Sequence, residues 1–177
     1  MSEKAIHRGD VVAPIVTERL SLTPLQAEDA DAMAGVLADE RLHEFIGGEP
    51  ETPAGLRVRY ARLAAGSPRP DETWLNWIVR RRSDAQPIGT VQATLTTKDG
   101  TSVAVVAWVI GIEWQNQRFA SEAAGALVGW LRHHGVERIV AHIHPEHEAS
   151  AAVATRAGLR PTDELIDGER VWRAGPS

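Results

Sequence analysis

The segment from Val103 to His134 constrains the fold more than any other part of the chain. It begins with a long apolar run, Val103–Ile112, and it ends with a helical pattern over Ala120–His134 that stops at Gly135. The apolar run predicts a strand that is buried on both faces. The second part repeats its apolar residues at the 3.6-residue period of an amphipathic helix. A buried strand that leads through a short turn into such a helix is typical of α/β domains.

The rest of the pattern indicates a mixed sheet with helices. An alternating first strand is followed by two helices, by two strands joined through a turn, and by an Asp-Gly hairpin signal before Val103. A short strand, a short helix and a last hairpin at Asp167-Gly168 complete the order. We expect one α/β domain over residues 1–177, with residues 1–13 as a tail. Outside the central segment, the predicted strands are Arg19–Leu25, Thr73–Val79, Ile88–Thr96 and Arg138–Ile143. The predicted helices are Met33–Leu37, Leu56–Leu63 and Ala149–Ala157.

Composition excludes several kinds of site. The chain has no cysteine, which excludes disulfides, thiolate metal sites and a cysteine nucleophile. Its net charge of −5 argues against nonspecific nucleic-acid binding, and we interpret the basic run Arg80–Arg82 as a solvated strand end. The N-terminus has no apolar core of signal-peptide length, and no apolar stretch approaches the length of a membrane-spanning helix. We therefore expect a cytoplasmic protein without a membrane or nucleic-acid partner.

The turn between the central strand and helix carries the chemical signal. A helix start presents unpaired main-chain N–H groups at the positive end of its dipole, and such a start suits a phosphate or pyrophosphate. The small residues Ala120 and Ser121 would let a ligand approach the backbone closely. On these grounds alone, a joint without any ligand is an equally good interpretation.

Three motifs in one order connect this turn to a known family. They are Gln115-Asn116-Gln117-Arg118-Phe119-Ala120 with its continuation Ser121-Glu122-Ala123, the opening Thr17–Leu25, and His147–Ser150 followed by Ala157-Gly158-Leu159. The first resembles the acyl-CoA signature of the GNAT superfamily of N-acetyltransferases. The continuation and the opening are similar to the branch that contains the ribosomal-protein N-terminal acetyltransferases, and the third motif resembles a helix of the whole family. The resemblance covers about residues 15–173.

The resemblance implies a fold, a co-substrate and a set of binding residues. It implies a mostly antiparallel sheet in which the strand ending at Ile110 splays from the strand ending at His142. The pantetheine of acetyl-CoA would lie in that gap and bond the backbone near Trp108 and Ile110. His147 stands where the family has an asparagine that contacts the pantetheine. The residues expected around the pyrophosphate are Gln115, Asn116, Gln117, Arg118, Phe119, Ala120 and Ser121.

Arg118 replaces the glycine of the signature, and this departure has two interpretations. A non-glycine residue in a left-handed conformation costs about 1–2 kcal/mol. We expect Arg118 to keep an ordinary φ and to point outward, onto a phosphate of the coenzyme, because guanidinium matches phosphate geometry. The alternative is a damaged site that binds the coenzyme weakly.

The family's usual acid and base are also missing, since Ala154 and Val105 occupy their positions. We take His144 and Ser150 as substitute catalytic candidates, because a histidine pKa near 6.5 suits proton transfer. Ser150 could instead cap its helix. His142 and His144 share a strand face, but a metal site would need His147 as third ligand, and we expect no metal.

The expected reaction is transfer of an acetyl group to a primary amine by direct attack in a ternary complex. The acceptor, which could be a small molecule or a protein N-terminus, is left open. A non-catalytic acyl-CoA-binding or scaffold protein is the second hypothesis. Trp74 and Trp77 should face opposite sides of their strand, where they would serve the core, a homodimer interface or an aromatic wall for the acceptor.

Overall fold

The computed structural model describes residue 6 and residues 12–175. Eight strands form one sheet in the order β1-β2-β3-β4-β5-β6-β8-β7. Every neighbouring pair is antiparallel except β5 and β6, which run parallel. The α/β class and the mostly antiparallel sheet are therefore confirmed. The strands are β1 Ile15–Val16, β2 Leu20–Pro24, β3 Glu72–Arg81, β4 Pro87–Lys98, β5 Thr101–Ile110, β6 Arg138–Ile143, β7 Leu159–Ile166 and β8 Glu169–Ala174.

Five α-helices and three single 3₁₀ turns accompany the sheet in the described part of the chain. None of these helices is long and apolar enough to cross a membrane. The helices are α1 Ala30–Val36, α2 His43–Ile46, α3 Pro53–Ala65, α4 Phe119–His133 and α5 Glu148–Arg156, and the 3₁₀ turns are Ala27–Asp29, Glu40–Leu42 and Ile112–Trp114.

Both hairpins predicted from Asp-Gly pairs are confirmed. Asp99 and Gly100 join β4 to β5 with φ values of 51° and 79°, and Asp167 and Gly168 join β7 to β8 with 51° and 82°. Two successive positive φ values define the type I′ turn, whose twist matches that of the strands on either side. These turns fix the register of both strand pairs.

The central strand differs from the prediction in two respects. It ends at Ile110 rather than Ile112, because Ile112–Trp114 forms a 3₁₀ turn. It is also not buried on both faces, since Ala107 is exposed and Trp108 is half-buried. Buried Ala104 and Val106 alternate with half-buried Val103 and Val105, so only one face of β5 is fully covered.

The core lies on both faces of the sheet. On one face α4 and α5 pack against the strands through residues such as Leu127, Leu131 and Trp77. On the other face α1 and α3 cover Ile78 of β3, and Met33 of α1 belongs to the same buried cluster. Trp77 and Ile78 are neighbours in β3 and point to opposite faces, as the period of a strand requires.

Trp77 belongs to the core and also holds the beginning of the described chain. It is fully buried, meets Trp130 edge-on at 5.3 Å, and donates from Nε1 to the Ala13 carbonyl at 3.0 Å. Ile6 and Val12 pack against the same core. The predicted tail is thus docked at these positions, while residues 1–5 and 7–11 lie outside the described part. Trp74 is only half-buried, which agrees with its opposite orientation.

Gly89 lets β4 and β5 approach closely at the end of β5. It pairs with Ile110, and a Cβ atom at this position would lie 2.1 Å from the Val109 carbonyl oxygen. Backbone atoms cannot move aside as a flexible side chain can. The only residue type that fits this position without displacing β5 is therefore glycine.

We expect Gly89→Ala to lower the free energy of unfolding by about 2–3 kcal/mol, the upper part of the range for an overpacked site. The strand pair must separate locally to admit the methyl group. Urea unfolding would measure the loss. Gly129→Ala is the control, because a Cβ atom there meets nothing within 4 Å, and an equal loss in both variants would contradict this explanation.

Candidate active site

The gap between β5 and β6 organises the candidate site. These parallel strands pair only from Val103 to Val105, opposite Arg138–Val140. Beyond that point β6 continues along β8 as far as Ile143, whereas β5 continues to Ile110 with no described strand on that side. The predicted splaying of the central strands is therefore present.

The main-chain groups of Trp108 and Ile110 face this gap. The N–H of Gly111 donates to the Ile88 carbonyl at 2.8 Å, which makes Gly111 a residue that bonds towards β4. In an antiparallel pair, residues alternate between bonding towards the partner and pointing away from it. Trp108 therefore presents its N–H and C=O groups to the gap, where the resemblance implied a pantetheine, and Ile110 presents its N–H there, since its carbonyl accepts a bond from the Gln115 side chain.

The turn after β5 contains two left-handed residues. Asn116 has a φ of 61° and Arg118 a φ of 64°. The expectation that Arg118 keeps an ordinary φ is therefore wrong. The reason is that the chain must reverse here to start α4, and the backbone makes the bend that a glycine would make. The Arg118 side chain is exposed and forms no hydrogen bond with any described residue.

This turn leaves a row of main-chain donors free. No acceptor in the described chain takes the N–H groups of residues 116–121, and the first intrahelical bond runs from Glu122 to the Arg118 carbonyl at 3.0 Å. The N-cap residue of α4 makes no side-chain capping bond. The helix dipole adds positive potential at the same place. The arrangement fits a pyrophosphate in shape and in charge.

Gln115 has a different place from the one predicted. Its main-chain N–H donates to the Ile112 carbonyl at 3.3 Å, and its side-chain Nε2 donates to the Ile110 carbonyl at 3.0 Å. The main-chain N–H and the side-chain amide of Gln115, which we expected near a phosphate, thus donate to carbonyl groups of the protein. Gln115 instead ties the turn to the end of β5 and positions the free donors that follow it.

Arg19 is a positioning residue that the sequence analysis did not single out. Its guanidinium lies 4.4 Å from the Phe119 ring centroid, pairs with Glu122 through Nε at 3.0 Å, and donates to the Gln117 carbonyl at 3.1 Å. Its own N–H also bonds the Glu122 carboxylate. One side chain from the start of β2 therefore holds both the turn and the first helical turn of α4. In the sequence, Arg19 stood out only as part of the opening motif Thr17–Leu25, and that motif gave it no role.

The two catalytic candidates and His147 meet at the end of β6. His144 lies just beyond the strand, and its Nδ1 accepts the N–H of Glu146 at 3.2 Å. Ser150 does not cap α5, because the N-cap is His147 and Ser150 lies inside the first turn. Its Oγ is 3.4 Å from Nε2 of His147. The prediction that Ser150 caps α5 is therefore wrong. The structure does bring the side chains of His144, His147 and Ser150 to one place.

An aromatic contact connects this cluster to α2. The Phe45 ring stacks on His147 with centroids 4.4 Å apart and an angle of 10°, and it lies 5.4 Å from the ring of His144. Burial lowers the pKa of His147 below its usual 6.5, and the nearby His144 adds to this effect while Glu44 opposes it. The contact favours a neutral His147 ring.

The remaining predicted features have structural explanations. Arg80 pairs with Asp29, Arg81 pairs with Asp84, and Arg82 donates to the Thr17 carbonyl, so the basic run bonds within the protein. The described residues contain no group of three or more side chains that could hold a metal ion.

A cavity of about 390 Å³ lies beside the gap, and the sequence analysis did not predict it. It sits on the face of the sheet that α1 and α3 cover, and its floor includes Ala107, Trp108 and Val109 of β5. The residues come from α1, α2, α3, β3, β4 and β5 and from the 3₁₀ turn Glu40–Leu42, which are distant in the chain, so no local pattern could have revealed it. A ligand in this cavity would lie next to β5, whose edge faces the gap.

Comparisons with known proteins agree with this geometry. A family model described as an acetyltransferase (GNAT) domain matches residues 19–160. A GNAT-family acetyltransferase from Bacillus anthracis superposes with a TM-score of 0.71 at 20% identity, covering 91% of this chain and 95% of the other. No curated protein sequence matches the chain significantly.

Two further solved structures contain the coenzyme. RimL, a ribosomal α-N-protein acetyltransferase in complex with coenzyme A, superposes with a TM-score of 0.73 at 17% identity, covering 91% of this chain and 96% of the other. AAC(6′)-Ib in complex with paromomycin and acetyl-CoA gives 0.72 at 17% identity, covering 88% and 92%. At these identities the likeness concerns the fold.

We expect Arg118→Gly to raise the free energy of unfolding by about 0.5–1 kcal/mol. Relief of the left-handed strain exceeds the greater flexibility of glycine in the unfolded chain. Asn116→Gly is the matched control, because asparagine tolerates the left-handed region better and should gain less. Urea unfolding measures both, and a loss of stability in Arg118→Gly would show that the turn needs the arginine side chain.

The lowered pKa of His147 predicts a pH dependence of stability. As the pH falls through 6.5, the unfolded chain binds a proton at this residue before the folded protein does, so stability decreases. His147→Asn removes this contribution. Its stability difference from the wild-type protein should therefore shift in favour of the variant between pH 7.5 and pH 5.5. A difference that is constant across this range in urea unfolding would contradict the assignment.

Proposed function

This chain belongs to the GNAT acetyltransferase family, and we propose that it transfers an acetyl group from acetyl-CoA to a primary amine by direct attack in a ternary complex. The observation that carries the proposal is the row of free N–H groups over residues 116–121 beside the open edge of β5. The first feature suits the pyrophosphate and the second suits the amide groups of a pantetheine. The same strand borders the cavity that would receive the acceptor.

Arg118 supports coenzyme binding in this proposal. Its exposed guanidinium starts from the turn that carries the free N–H groups, and no described residue pairs with it. A free guanidinium beside a pyrophosphate adds a charge-assisted bond. The proposed coenzyme-binding set is therefore Trp108, Ile110, Asn116, Gln117, Arg118, Phe119, Ala120, Ser121 and His147, with Gln115 and Arg19 as positioning residues.

The chemistry requires a neutral amine and an exit for the thiolate. The ammonium acceptor first gives up a proton, and its nitrogen then forms a bond to the thioester carbonyl carbon. The nitrogen then loses its second proton, the carbon–sulfur bond breaks, and the departing thiolate takes up one proton. Main-chain N–H groups that face the gap would stabilise the carbonyl oxygen as it gains charge.

The structure limits how side chains can move these protons. When His144 is neutral and its Nδ1 accepts the Glu146 N–H, its proton lies on Nε2, so the ring offers a donor towards its surroundings. It can act as a base only by giving up that bond. We propose that water in the cavity removes the ammonium proton, with His144 and Ser150 as supporting polar groups.

A second function is favoured by one observation. Ala154 is fully buried, and Val105 lies in β5, so neither family position offers an ionisable group. A non-catalytic acyl-CoA-binding or scaffold protein would need none. In either case we propose a single domain over residues 1–177 that works in the cytoplasm without a metal. A homodimer remains a proposal without a defined surface.

We expect Ala120→Pro to weaken acetyl-CoA binding by about tenfold, the effect of roughly 1.4 kcal/mol. Proline is tolerated in the first turn of a helix, but it removes one of the free N–H groups. Ala54→Pro is the matched control, because it makes the same change in the first turn of α3. Isothermal titration with acetyl-CoA measures both, and unchanged affinity in Ala120→Pro would refute the pyrophosphate site.

Thiol release in the presence of amines separates the two functions. An acetyltransferase should release coenzyme A in proportion to the acetylated amine that mass spectrometry detects. Saturable binding of acetyl-CoA without release, across primary amines of different size and charge, would favour the non-catalytic protein.

A further inference from the structure

The cavity beside β5 has a floor of neutral polar groups and walls of apolar side chains. Asn76, Thr90 and Gln92 reach it from β3 and β4, and no side-chain hydrogen bond within the described chain engages them. Leucines and an isoleucine from the helical layer form most of the walls: Leu25, Leu37, Leu42, Ile46, Leu56 and Leu63. Such a lining suits a ligand with an apolar body and a few hydrogen-bonding groups.

The charged residues of the lining leave one carboxylate unpaired. Glu51 pairs with Arg59 at 3.2 Å, so these two charges compensate each other. Glu49 also lines the cavity, and it forms neither an ion pair nor a hydrogen bond with any described residue. Glu49 is an exposed residue of the lining. The Asp, Glu, Lys and Arg side chains of the lining therefore sum to one negative charge, which favours a ligand with a single positive charge.

Tyr60 is the second unusual residue of the lining. Its side chain is only 3% exposed, and its hydroxyl has no hydrogen-bond partner among the described residues. Native proteins rarely keep a buried polar group unpaired, since the loss of its hydration is not offset. Burial raises the pKa of Tyr60 to about 12, so the hydroxyl keeps its proton and can donate a hydrogen bond. The hydroxyl oxygen has less than 1 Å² of accessible surface, so a ligand in the cavity becomes its partner only when neighbouring side chains of the lining move aside.

The size and enclosure of the cavity limit its ligand. A volume of about 390 Å³ lies near the lower end of the range for small-molecule sites. Ile46 at the end of α2 and the following Gly47 and Gly48 form one side of it, and Phe45 anchors α2 by stacking on His147. This volume suits a compact molecule better than the extended terminus of a protein.

We propose that the acceptor is a compact primary amine with one positive charge, an apolar body and one hydrogen-bonding group, with Glu49 attracting the ammonium and the Tyr60 hydroxyl bonding the polar group. This inference rests on the proposed acetyl transfer and names the class of its acceptor. The ammonium gives its proton to water before the nitrogen attacks. Glu49 and Tyr60 are thus specificity determinants for the acceptor rather than groups that carry out the reaction.

Tyr60→Phe should change stability and acceptor binding in opposite directions. Removal of an unpaired buried hydroxyl should raise the Tm by about 2–4 °C. The same change should raise the KM for a hydroxyl- or carboxamide-bearing monoamine by about threefold to tenfold, with little change for the matching amine that lacks this group. A purely structural tyrosine would leave both KM values alike, and that result would overturn the role of Tyr60.

Glu49→Gln tests the charge. We expect it to raise the KM for small monoamines by about fivefold to tenfold and to leave inhibition by the alcohol of the same shape unchanged. Glu137→Gln is the matched control, because it removes one exposed carboxylate outside the cavity. If both variants raise the KM equally, the change reflects the overall charge of the protein, and the assignment of Glu49 is overturned.

The acceptor class is tested by three sets of amines: compact monoamines, linear polyamines and peptides with a free N-terminus. Thiol release with compact monoamines, at a kcat/KM at least tenfold above the other sets, supports the inference. Release with peptides or polyamines but not with monoamines overturns it and leaves the acetyltransferase proposal intact. If no amine causes release, calorimetry with the compact monoamines decides: binding that Glu49→Gln weakens supports the cavity assignment without turnover, and absence of binding overturns it.

Discussion

The early end of the parallel pairing between β5 and β6 is the constraint on which the candidate site depends. Two strands that share three residue pairs and then separate leave one edge of β5 without a partner. Unpaired strand groups in a protein require water or a ligand. Since α4 connects these two strands, its first turn necessarily starts at the mouth of the gap. The open edge of β5 is a consequence of this departure from regular pairing, and it lies between the free helix start and the cavity.

The turn at the start of α4 shows how a strained backbone can persist without glycine. Arg118 occupies the left-handed region at φ 64°, and the surrounding contacts hold it there. Arg19 bonds the Gln117 carbonyl on one side and the Glu122 carboxylate on the other, while Gln115 fixes the turn to the end of β5. Strain of this kind survives only when neighbouring contacts over-determine the conformation. The shape of the binding turn thus depends on side chains that need not touch the coenzyme.

The parts of the fold that follow local rules were predictable from the sequence, and the others were not. The Asp-Gly turns, the period of α4 and the order of strands and helices are local properties, and the structure has them. The φ of Arg118 was not predictable from its residue type, because arginine seldom adopts a left-handed conformation. Ser150 already lay inside the predicted helix Ala149–Ala157, so the capping prediction followed the residue type alone and not its position; the observed N-cap is His147. The cavity, the unpaired Tyr60 hydroxyl and the role of Arg19 depend on residues far apart in the chain, which no pattern in one sequence brings together.

The contact between Arg19 and Glu122 joins residues that are 103 positions apart. Contacts of such long range form late, because the chain between them must be ordered before the bond repays the entropy of closing the loop. The turn of α4 consequently reaches its final shape only when the first strands have docked onto the rest of the sheet. The proposed coenzyme site is then a property of the completed domain, and we expect a partly folded chain with α4 already helical to lack it.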